Sequence, residues 1–358
     1  MKTTLLALLF SLAVTLTSIF AHSGTLSSDI VHAVSLEGNL LGDSPDRSVI
    51  VYLPPGYEKQ VKVRYPVVYW LHGYDGNGWN KPKTNTSTDS MSRLREAMDR
   101  AIAAGKARPM IIVMPDGNNK YGGGFYTNSA ATGNWEDFIT IELVKHIDAK
   151  YRTLPNVASR GIAGHSMGGY GAIKLAMKHP ELYGVVYGLS ACCLGWDAAF
   201  LENKIWSEIL SFKTPEDAAK ASIGARLAFA RSAAWSSNPA KAPLFFDTLF
   251  TNEEGALKMV NDVFARWSAN MPVAMTDQYR PNLLRLRAIA FDVGRQDNLL
   301  GLNRLLSAAF KRNQIPHTFE EYEGDHTNKI PERVETRMLP FFSRTLEFSN
   351  KATVAKSK

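Results

Sequence analysis

Residues 159–171 read S-R-G-I-A-G-H-S-M-G-G-Y-G, and this run is the strongest indication of the fold. Residues 159–163 are predicted as a strand and residues 169–178 as a helix, and the turn between them holds the pattern G-x-S-x-G around Ser166. The two glycines let the backbone turn sharply, which presents the Ser166 hydroxyl at the carboxyl end of the strand. An ordinary glycine turn is the alternative, but the strand and the helix supply the context that a nucleophile elbow requires. Ser166 is therefore predicted as a nucleophile.

A serine hydroxyl is too weakly acidic to attack a carbonyl carbon unaided, so it needs a histidine to take its proton and a carboxylate to orient that histidine. His326 follows a predicted strand at 318–322, where the chain order serine, acid, histidine places the base. The alternative is an exposed loop histidine. The other seven of the eight histidines are less well placed to act as the base. They lie near the N-terminus (His22), in an early strand (His32), in a separate motif (His72), on helices (His146 and His179), inside the elbow (His165) and at the starting end of the last strand (His317).

The acid is predicted as Asp297, in the loop 294–298 that leaves a predicted strand at its carboxyl end. This position lets the carboxylate reach a histidine on the neighbouring strand. Asp292 lies within the strand and Asp325 adjoins His326, so both are poorer candidates. The alternative role for Asp297 is an N-cap of the helix that begins near residue 299.

An ester-cleaving serine also needs backbone N–H groups to hold the negative charge that develops on the carbonyl oxygen. The amide of Met167, at the start of the helix after the elbow, is one predicted donor. The run V-V-Y-W-L-H-G-Y at 67–74 offers a second, the amide of Tyr74, in a loop that follows another apolar strand. A glycine turn without this role is the alternative. His72 is expected to support the loop rather than to titrate during the reaction.

Apolar and β-branched runs alternate with helical stretches along the chain, which predicts an α/β fold with a mainly parallel central sheet flanked by helices. The predicted strands are 31–35, 48–53, 67–71, 110–114, 159–163, 185–189, 287–293 and 318–322. The predicted helices are 91–104, 135–150, 169–178, 299–311 and 333–346.

More than ninety residues separate the strand at 185–189 from the strand at 287–293, which is too long for an ordinary connection. This stretch contains helical segments at 198–210, 215–230 and 253–268, so a helical cap is predicted at about 196–284. Four of the seven tryptophans lie in it: Trp196, Trp206, Trp235 and Trp267. They are expected to anchor the packing of the cap, and lining a substrate pocket is the alternative.

The first 23 residues resemble a secretory signal, with Lys2, an apolar run and small residues at Ala21 and Ser23. A buried helix or a membrane anchor is the alternative. The mature chain is expected to be secreted or periplasmic, with a hydrolase domain at 24–346, a polar tail at 347–358 and no integral membrane segment.

The formal charge of +7 is scattered over the chain, so no nucleic-acid partner is predicted. No H-E-x-x-H pattern occurs, and the triple glycine 122–124 lacks the lysine of a phosphate-binding loop, so no metal or cofactor is expected. The only cysteines are adjacent, at 192 and 193. Two buried free thiols are favoured over a strained bond between neighbours. The oligomeric state is not indicated.

These motifs together resemble the "putative esterase" family of α/β-hydrolases, which includes esterase D, S-formylglutathione hydrolases, feruloyl esterases and mycolyltransferases. The resemblance extends from about residue 48 to residue 342. It is carried by Y-W-L-H-G at 69–73, I-V-M-P-D-G at 112–117, W-E-D-F at 135–138, the elbow at 164–169, and the pair Asp297 and His326. It implies the α/β-hydrolase fold and acyl transfer through an acyl-serine, without metal or organic cofactor.

The expected activity is hydrolysis of a carboxylic ester. The resemblance implies a carbohydrate ester or an envelope lipid as the substrate, because the exported relatives in this family act on those. Three alternatives stay open at the level of sequence. The first is an acyltransferase with a sugar or alcohol acceptor, and the second is a thioesterase similar to S-formylglutathione hydrolases. The third is an exported binding protein that keeps the scaffold without turnover, against which the intact set of Ser166, Asp297 and His326 argues.

Overall fold

An eight-stranded sheet forms the centre of the protein. The computed structural model describes residues 23–78 and 85–349. In chain order the strands are β1 Thr25–His32, β2 Asp46–Leu53, β3 Val67–Leu71, β4 Ile111–Pro115, β5 Arg160–His165, β6 Val185–Leu189, β7 Ala288–Gly294 and β8 Thr318–Tyr322. Their order across the sheet is β1-β2-β4-β3-β5-β6-β7-β8. β2 runs antiparallel to both β1 and β4, and every other neighbouring pair is parallel. The predicted mainly parallel sheet is therefore confirmed.

Helices cover both faces of this sheet. The longer ones are α1 Asn85–Ala103, α2 Leu143–Lys150, α3 Met167–Lys178, α4 Asn203–Ser211, α5 Ile223–Trp235, α6 Asn261–Ser268, α7 Leu300–Arg312 and α8 Leu339–Thr345. Apolar residues of α1 and α8 form one core cluster, whereas those of α2, α3 and α7 belong to a second cluster on the opposite face. β3 shows why both faces must be covered: all five residues are buried, and Val68 and Trp70 enter one cluster while Tyr69 enters the other.

The N-terminal strand differs from its prediction. The sequence predicts a strand at 31–35, but β1 ends at His32 and Val34–Leu36 forms a 3-10 turn. Among the described residues, β1 is an edge strand that pairs only with β2, and most of its residues are exposed or half-exposed. Its sequence, T-L-S-S-D-I-V-H, therefore carries little of the apolar signal that marks the central strands. The predicted signal segment, apart from Ser23, and most of the predicted tail lie outside the described residues.

The long connection between β6 and β7, for which the sequence predicts a helical cap, contains α4, α5 and α6. The predicted helix at 253–268 is too long, because its first part is a hairpin in which Phe250–Glu253 pairs with Ala256–Met259. Gly255 forms the turn of this hairpin with φ of 87°, a backbone conformation that is incompatible with a helix. The tryptophans of the cap pack against aromatic rings. The ring centroids of Trp206 and Trp235 each lie within 6 Å of the Trp267 ring centroid, and Trp196 stacks on Phe264.

In the part of the chain that the structure describes, no helix combines the length and the apolar character that crossing a bilayer requires.

A buried ion pair holds the end of the sheet that carries the last two strands. Asp292 in β7 is fully buried, and its Oδ2 accepts hydrogen bonds from the Tyr187 hydroxyl at 2.7 Å and from Arg333 Nε at 2.7 Å. Arg333 also donates to Glu320 of β8 at 2.6 Å. Burial raises the pKa of Asp292 to about 6, although Arg333 and Tyr187 oppose the shift. The pair thus joins β6, β7 and β8 beneath the loops that follow them.

Removing Arg333 should destabilise the fold strongly. Arg333→Leu leaves Asp292 buried without its cationic partner, so the free energy of unfolding should fall by about 3–5 kcal/mol. Urea denaturation followed by circular dichroism measures the loss. Arg337→Leu is the matched control, because Arg337 bonds the same Glu320 but is half-exposed; its loss should stay below about 1 kcal/mol. Equal losses in the two variants would contradict the role given to the buried pair.

Candidate active site

Ser166 occupies a strained turn between β5 and α3. Its backbone has φ of 57° and ψ of −116°, a conformation that L-residues rarely adopt. Gly168 is required for this turn, since a Cβ atom there would lie 1.9 Å from the carbonyl oxygen of Leu71 at the end of β3. A Cβ atom on Gly164 would lie 2.4 Å from the carbonyl carbon of Gly168. The backbone geometry is therefore the one that the G-x-S-x-G pattern predicts for a nucleophile elbow.

The three predicted catalytic side chains lie in one hydrogen-bonded chain. The Ser166 Oγ is 3.0 Å from His326 Nε2, and His326 Nδ1 is 2.9 Å from Asp297 Oδ2. Because the carboxylate can only accept, Nδ1 carries the proton, and Nε2 is free to accept from the serine hydroxyl. This is the arrangement in which a histidine acts as the general base for a serine.

Asp297 does not fill the alternative role of N-cap, because Leu299 holds that position in α7 and no side chain caps the helix. Its Oδ1 accepts the N–H of Leu299 at 2.9 Å, next to the start of α7, so one carboxylate bonds both the helix entry and His326. Burial alone would raise the pKa of Asp297. The hydrogen bond and the charge of His326, together with the Leu299 amide, outweigh that effect and hold the pKa below its usual range. The carboxylate is therefore ionised at neutral pH.

The loops that carry Asp297 and His326 are tied together by the Gln296 residue. Gly324 N–H donates to Gln296 Oε1 at 2.7 Å, and Gln296 N–H donates to the Gly324 carbonyl at 3.1 Å. Gly294 permits this approach, since a Cβ atom there would lie 2.1 Å from the Gly324 carbonyl oxygen. The distance between acid and base is thus set by two loops that form a single unit.

His165 has a role that the sequence reasoning missed. Its position inside the elbow argues against a role as the base, yet its Nε2–H donates to the carbonyl oxygen of His326 at 2.7 Å. The bond ties the nucleophile's own turn to the histidine loop. Burial, reinforced by the nearby His326 ring, lowers the pKa of His165 to about 3, so its ring is neutral. Its place directly before the nucleophile was the signal that could have pointed to it.

The two predicted oxyanion donors lie where the sequence places them. Met167 is the first residue of α3, and Tyr74 begins the 3-10 turn Tyr74–Gly78 directly after β3. Within residues 23–78 and 85–349, no backbone carbonyl accepts from either amide. Tyr74 also borders the same cleft as Ser166. Both amides are therefore available, and their role in charge stabilisation stays a prediction.

His72 holds the loop that carries Tyr74. The Gly117 N–H donates to His72 Nε2 at 2.8 Å, which leaves the ring proton on Nδ1, and Nδ1–H donates to the Gly73 carbonyl at 2.6 Å. Burial lowers the pKa of His72, although Asp116 opposes the shift. His72 is therefore a neutral support for this loop, as expected from the sequence.

The serine opens into a cleft of about 570 Å³ between the sheet and the cap. This is the size of pocket that small ligands occupy. Its walls are mainly apolar and come largely from the cap and from α7, with the charged groups of the triad on one side; Phe200, Ile205, Ile223, Leu227, Leu299 and Leu302 contribute the apolar side chains. None of the four cap tryptophans lines the cleft.

Cys192 and Cys193 also line this cleft, and their oxidation state differs from the prediction. The structure joins them in a disulfide between neighbours, so the expectation of two free thiols is wrong. Cys193 has φ of 61°, a left-handed conformation that residue spacing alone did not indicate. Two residues separate the pair from the end of β6, and the Cys192 N–H donates to the Ser166 carbonyl at 3.2 Å. The disulfide is therefore part of the nucleophile's surroundings.

No group of three or more His, Cys, Asp or Glu side chains suited to a metal ion occurs in the described ranges 23–78 and 85–349.

The sheet order, the strained serine and its histidine and carboxylate define a serine hydrolase of the α/β-hydrolase fold. A family model described as "Putative esterase" matches residues 44–330. The chain belongs to this esterase family, which confirms the resemblance and the expected class of enzyme.

Two curated relatives match part of the chain. Esterase Rv1288 of Mycobacterium tuberculosis (strain ATCC 25618 / H37Rv) is 37% identical over 136 residues, which cover 37% of this chain and 26% of that protein. An endo-1,4-beta-xylanase/feruloyl esterase of Xylanibacter ruminicola is 36% identical over 138 residues, covering 37% of this chain and 18% of that protein. The chain thus matches about a quarter or less of the length of these relatives.

Solved structures share the fold over nearly the whole chain. A ferulic acid esterase superposes with a TM-score of 0.62 at 21% identity, covering 91% of this chain and 100% of that one. An S-formylglutathione hydrolase from Agrobacterium tumefaciens superposes with a TM-score of 0.58 at 17% identity, covering 91% and 96%. At these identities the structures establish the fold.

The neutral histidines of the site should make stability depend on pH. An unfolded histidine has a pKa of about 6.5, whereas His165 has a pKa of about 3 and that of His72 is also lowered. The unfolded chain therefore binds more protons below about pH 6.5. As the pH falls from that value, each such histidine should lower the free energy of unfolding by up to about 1.4 kcal/mol per pH unit. Urea denaturation at pH 7.5, 6.0 and 5.0 measures the slope.

His165→Asn should flatten this dependence by removing one of the contributions. His32→Asn is the control, because His32 is exposed and its bonds to Asp46 and Glu37 raise its pKa. A histidine with a raised pKa stabilises the fold at low pH and loses that effect as the pH rises, so removing it should not flatten the loss in acid. If His165→Asn kept the full slope of the parent, the buried neutral state of His165 would be wrong.

Proposed function

We propose that this protein is an exported serine carboxylic-ester hydrolase that acts through an acyl-serine on esters carried by carbohydrate. The observation that carries the hydrolase activity is the continuous hydrogen-bonded chain from Asp297 through His326 to Ser166, which ends at the wall of an apolar cleft. A serine in this chain has a base within reach of its proton and an oriented imidazole, which are the two requirements for nucleophilic attack.

In the proposed mechanism, His326 Nε2 takes the Ser166 proton as Oγ bonds to the ester carbonyl carbon. The amides of Met167 and Tyr74 stabilise the negative charge that moves to the carbonyl oxygen. Asp297 stabilises the imidazolium, which then protonates the leaving alcohol as the carbon–oxygen bond of the ester breaks. Water attacks the acyl-serine in a second cycle of the same steps and releases the acid.

The substrate class is supported by the relatives and by the shape of the cleft. The 36% identical relative from Xylanibacter ruminicola has feruloyl esterase in its name. A cleft of about 570 Å³ with mainly apolar walls fits an aromatic or short aliphatic acyl group, while the half-exposed His326 leaves the alcohol side open to solvent. That opening favours a bulky alcohol such as a sugar and also admits water, which supports hydrolysis over transfer to a second alcohol.

Export is supported by the signal-like first 23 residues and by the Cys192–Cys193 disulfide. Disulfides persist in oxidising compartments and are rare in the cytosol, where thiols are kept reduced.

The catalytic role of Ser166 is tested by Ser166→Ala. The variant removes the nucleophile but leaves the buried surroundings nearly unchanged, so kcat/KM for 4-nitrophenyl acetate and for methyl ferulate should fall by about 10⁴-fold or more without loss of thermal stability. Ser211→Ala, the same change at an exposed serine of the cap, should keep the parent rate. Unchanged cleavage by Ser166→Ala would overturn the proposal, and acyl transfer to added xylose with little free acid would point to a transferase instead.

Export predicts cleavage of the N-terminus. When the full chain is expressed in a bacterium with a general secretory pathway, the mature protein should begin near residue 22–24 and be recovered from the periplasm or medium. N-terminal sequencing and intact mass measure this directly. Replacing Leu8 and Leu9 by Asp should block processing, since the apolar run of a signal would be broken. Retention of Met1 on an active cytoplasmic protein would contradict export.

A further inference from the structure

An arginine is buried in the wall of the catalytic cleft. Arg231 lies on α5 of the cap, is 2% exposed, and lines the same cleft as Ser166 and His326. The carbon at the centre of its guanidinium lies 3.3 Å from the centroid of the Phe200 ring and 5.6 Å from that of Trp267. The proposed mechanism makes no use of this charge.

Arg231 forms no ion pair within the described part of the chain, and its Nε is buried without a hydrogen-bond partner. Moving a guanidinium out of water costs several kcal/mol unless a partner compensates for it. The aromatic faces recover part of this cost through cation–π contacts. Buried arginines in proteins are otherwise nearly always paired, so an unpaired one beside a substrate cleft needs an explanation.

The carboxylate of Asp197 borders the same cleft and favours the charged form of Arg231. Burial nevertheless lowers the pKa of Arg231 to about 9, which shows that the opposing charge does not offset the loss of water. At neutral pH the guanidinium is still protonated. The cleft therefore holds a cation whose hydrogen-bonding capacity is incompletely used by the protein.

We infer that Arg231 binds a carboxylate carried by the substrate, so that the enzyme prefers esters with an anionic acyl or alcohol part over their neutral isosteres. This inference rests on the proposed function. The planar guanidinium offers paired N–H donors that match the two oxygens of a carboxylate. A site with buried unpaired donors binds poorly to a substrate that lacks acceptors for them. Such a site therefore discriminates against esters that carry no carboxylate.

The test compares matched esters at pH 7.5. For the acyl side, mono-4-nitrophenyl glutarate is compared with 4-nitrophenyl 5-methylhexanoate, in which an isopropyl group replaces the carboxylate. For the alcohol side, 4-acetoxybenzoate is compared with 4-isopropylphenyl acetate. In one of the two pairs the parent enzyme should have a kcat/KM about 10- to 100-fold higher for the anionic ester, as expected of a charged hydrogen bond. The pair that shows the preference identifies the side that Arg231 binds.

Arg231→Met should lower the ratio of kcat/KM for the anionic ester to kcat/KM for the neutral ester to about 1, and Arg231→Lys should retain part of the preference. Arg285→Met is the control, because it removes the same charge from an exposed position outside the cleft and should keep the parent ratio. If Arg231→Met does not fold, the parent ratio and the Arg231→Lys ratio still decide the question.

Equal rates of the parent on both members of each pair would overturn the inference. So would a folded Arg231→Met that loses the neutral and anionic activities in proportion, since that result indicates a structural role. Neither result affects the proposed function. Among these measurements, the outcome that would contradict the proposed function is a parent enzyme that cleaves none of the four esters.

Discussion

The structure depends on the close approach of α3 to the end of β3. Gly168 lies against the Leu71 carbonyl oxygen with no room for a side chain, and this contact sets where the helix can begin. Ser166 is then forced into a left-handed backbone conformation, which costs about 1–3 kcal/mol. The backbone of Ser166 is held there by hydrogen bonds, its N–H to the Leu189 carbonyl at 3.0 Å and its carbonyl to the Tyr170 N–H at 3.0 Å. A relaxed turn would withdraw the hydroxyl from the cleft.

The remaining parts of the site reach this hydroxyl because parallel strands end at the same edge of the sheet. Asp297 follows β7 and His326 follows β8, so the histidine must cross the ends of two strands to meet Ser166. The hydrogen bonds of Gln296 join the loop that carries Asp297 to the loop that carries His326. His165 of the elbow donates a hydrogen bond to the second of these loops. The Asp292–Arg333 pair secures the strands below them. The imidazole of His326 is thereby positioned by its bond to Asp297 and by the bond from His165 to the His326 carbonyl oxygen.

The sequence predicted most of the sheet and the three residues of the triad, because each has a strong local signal. The elbow has its glycines, His326 and Asp297 follow recognisable strands, and β6 and β8 were placed with correct bounds. Other features have no such signal. β1 is an exposed edge strand, and the hairpin at 250–259 depends on the conformation at Gly255. The Cys192–Cys193 bond and the contact of His165 with the His326 carbonyl depend on three-dimensional placement that neither residue type nor spacing indicates. Arg231 likewise looks like an ordinary arginine of a cap helix until its burial is known.

The strained turn and the histidine together make Ser166 a nucleophile. This role can be tested by treating the protein with a fluorophosphonate at neutral pH and mapping the adduct by peptide mass spectrometry. We expect one adduct per chain, on the Ser166 hydroxyl, and labelling at least about 100-fold slower in His326→Ala, which lacks the base. Labelling at another serine, or labelling of Ser166 at the same rate without His326, would contradict it.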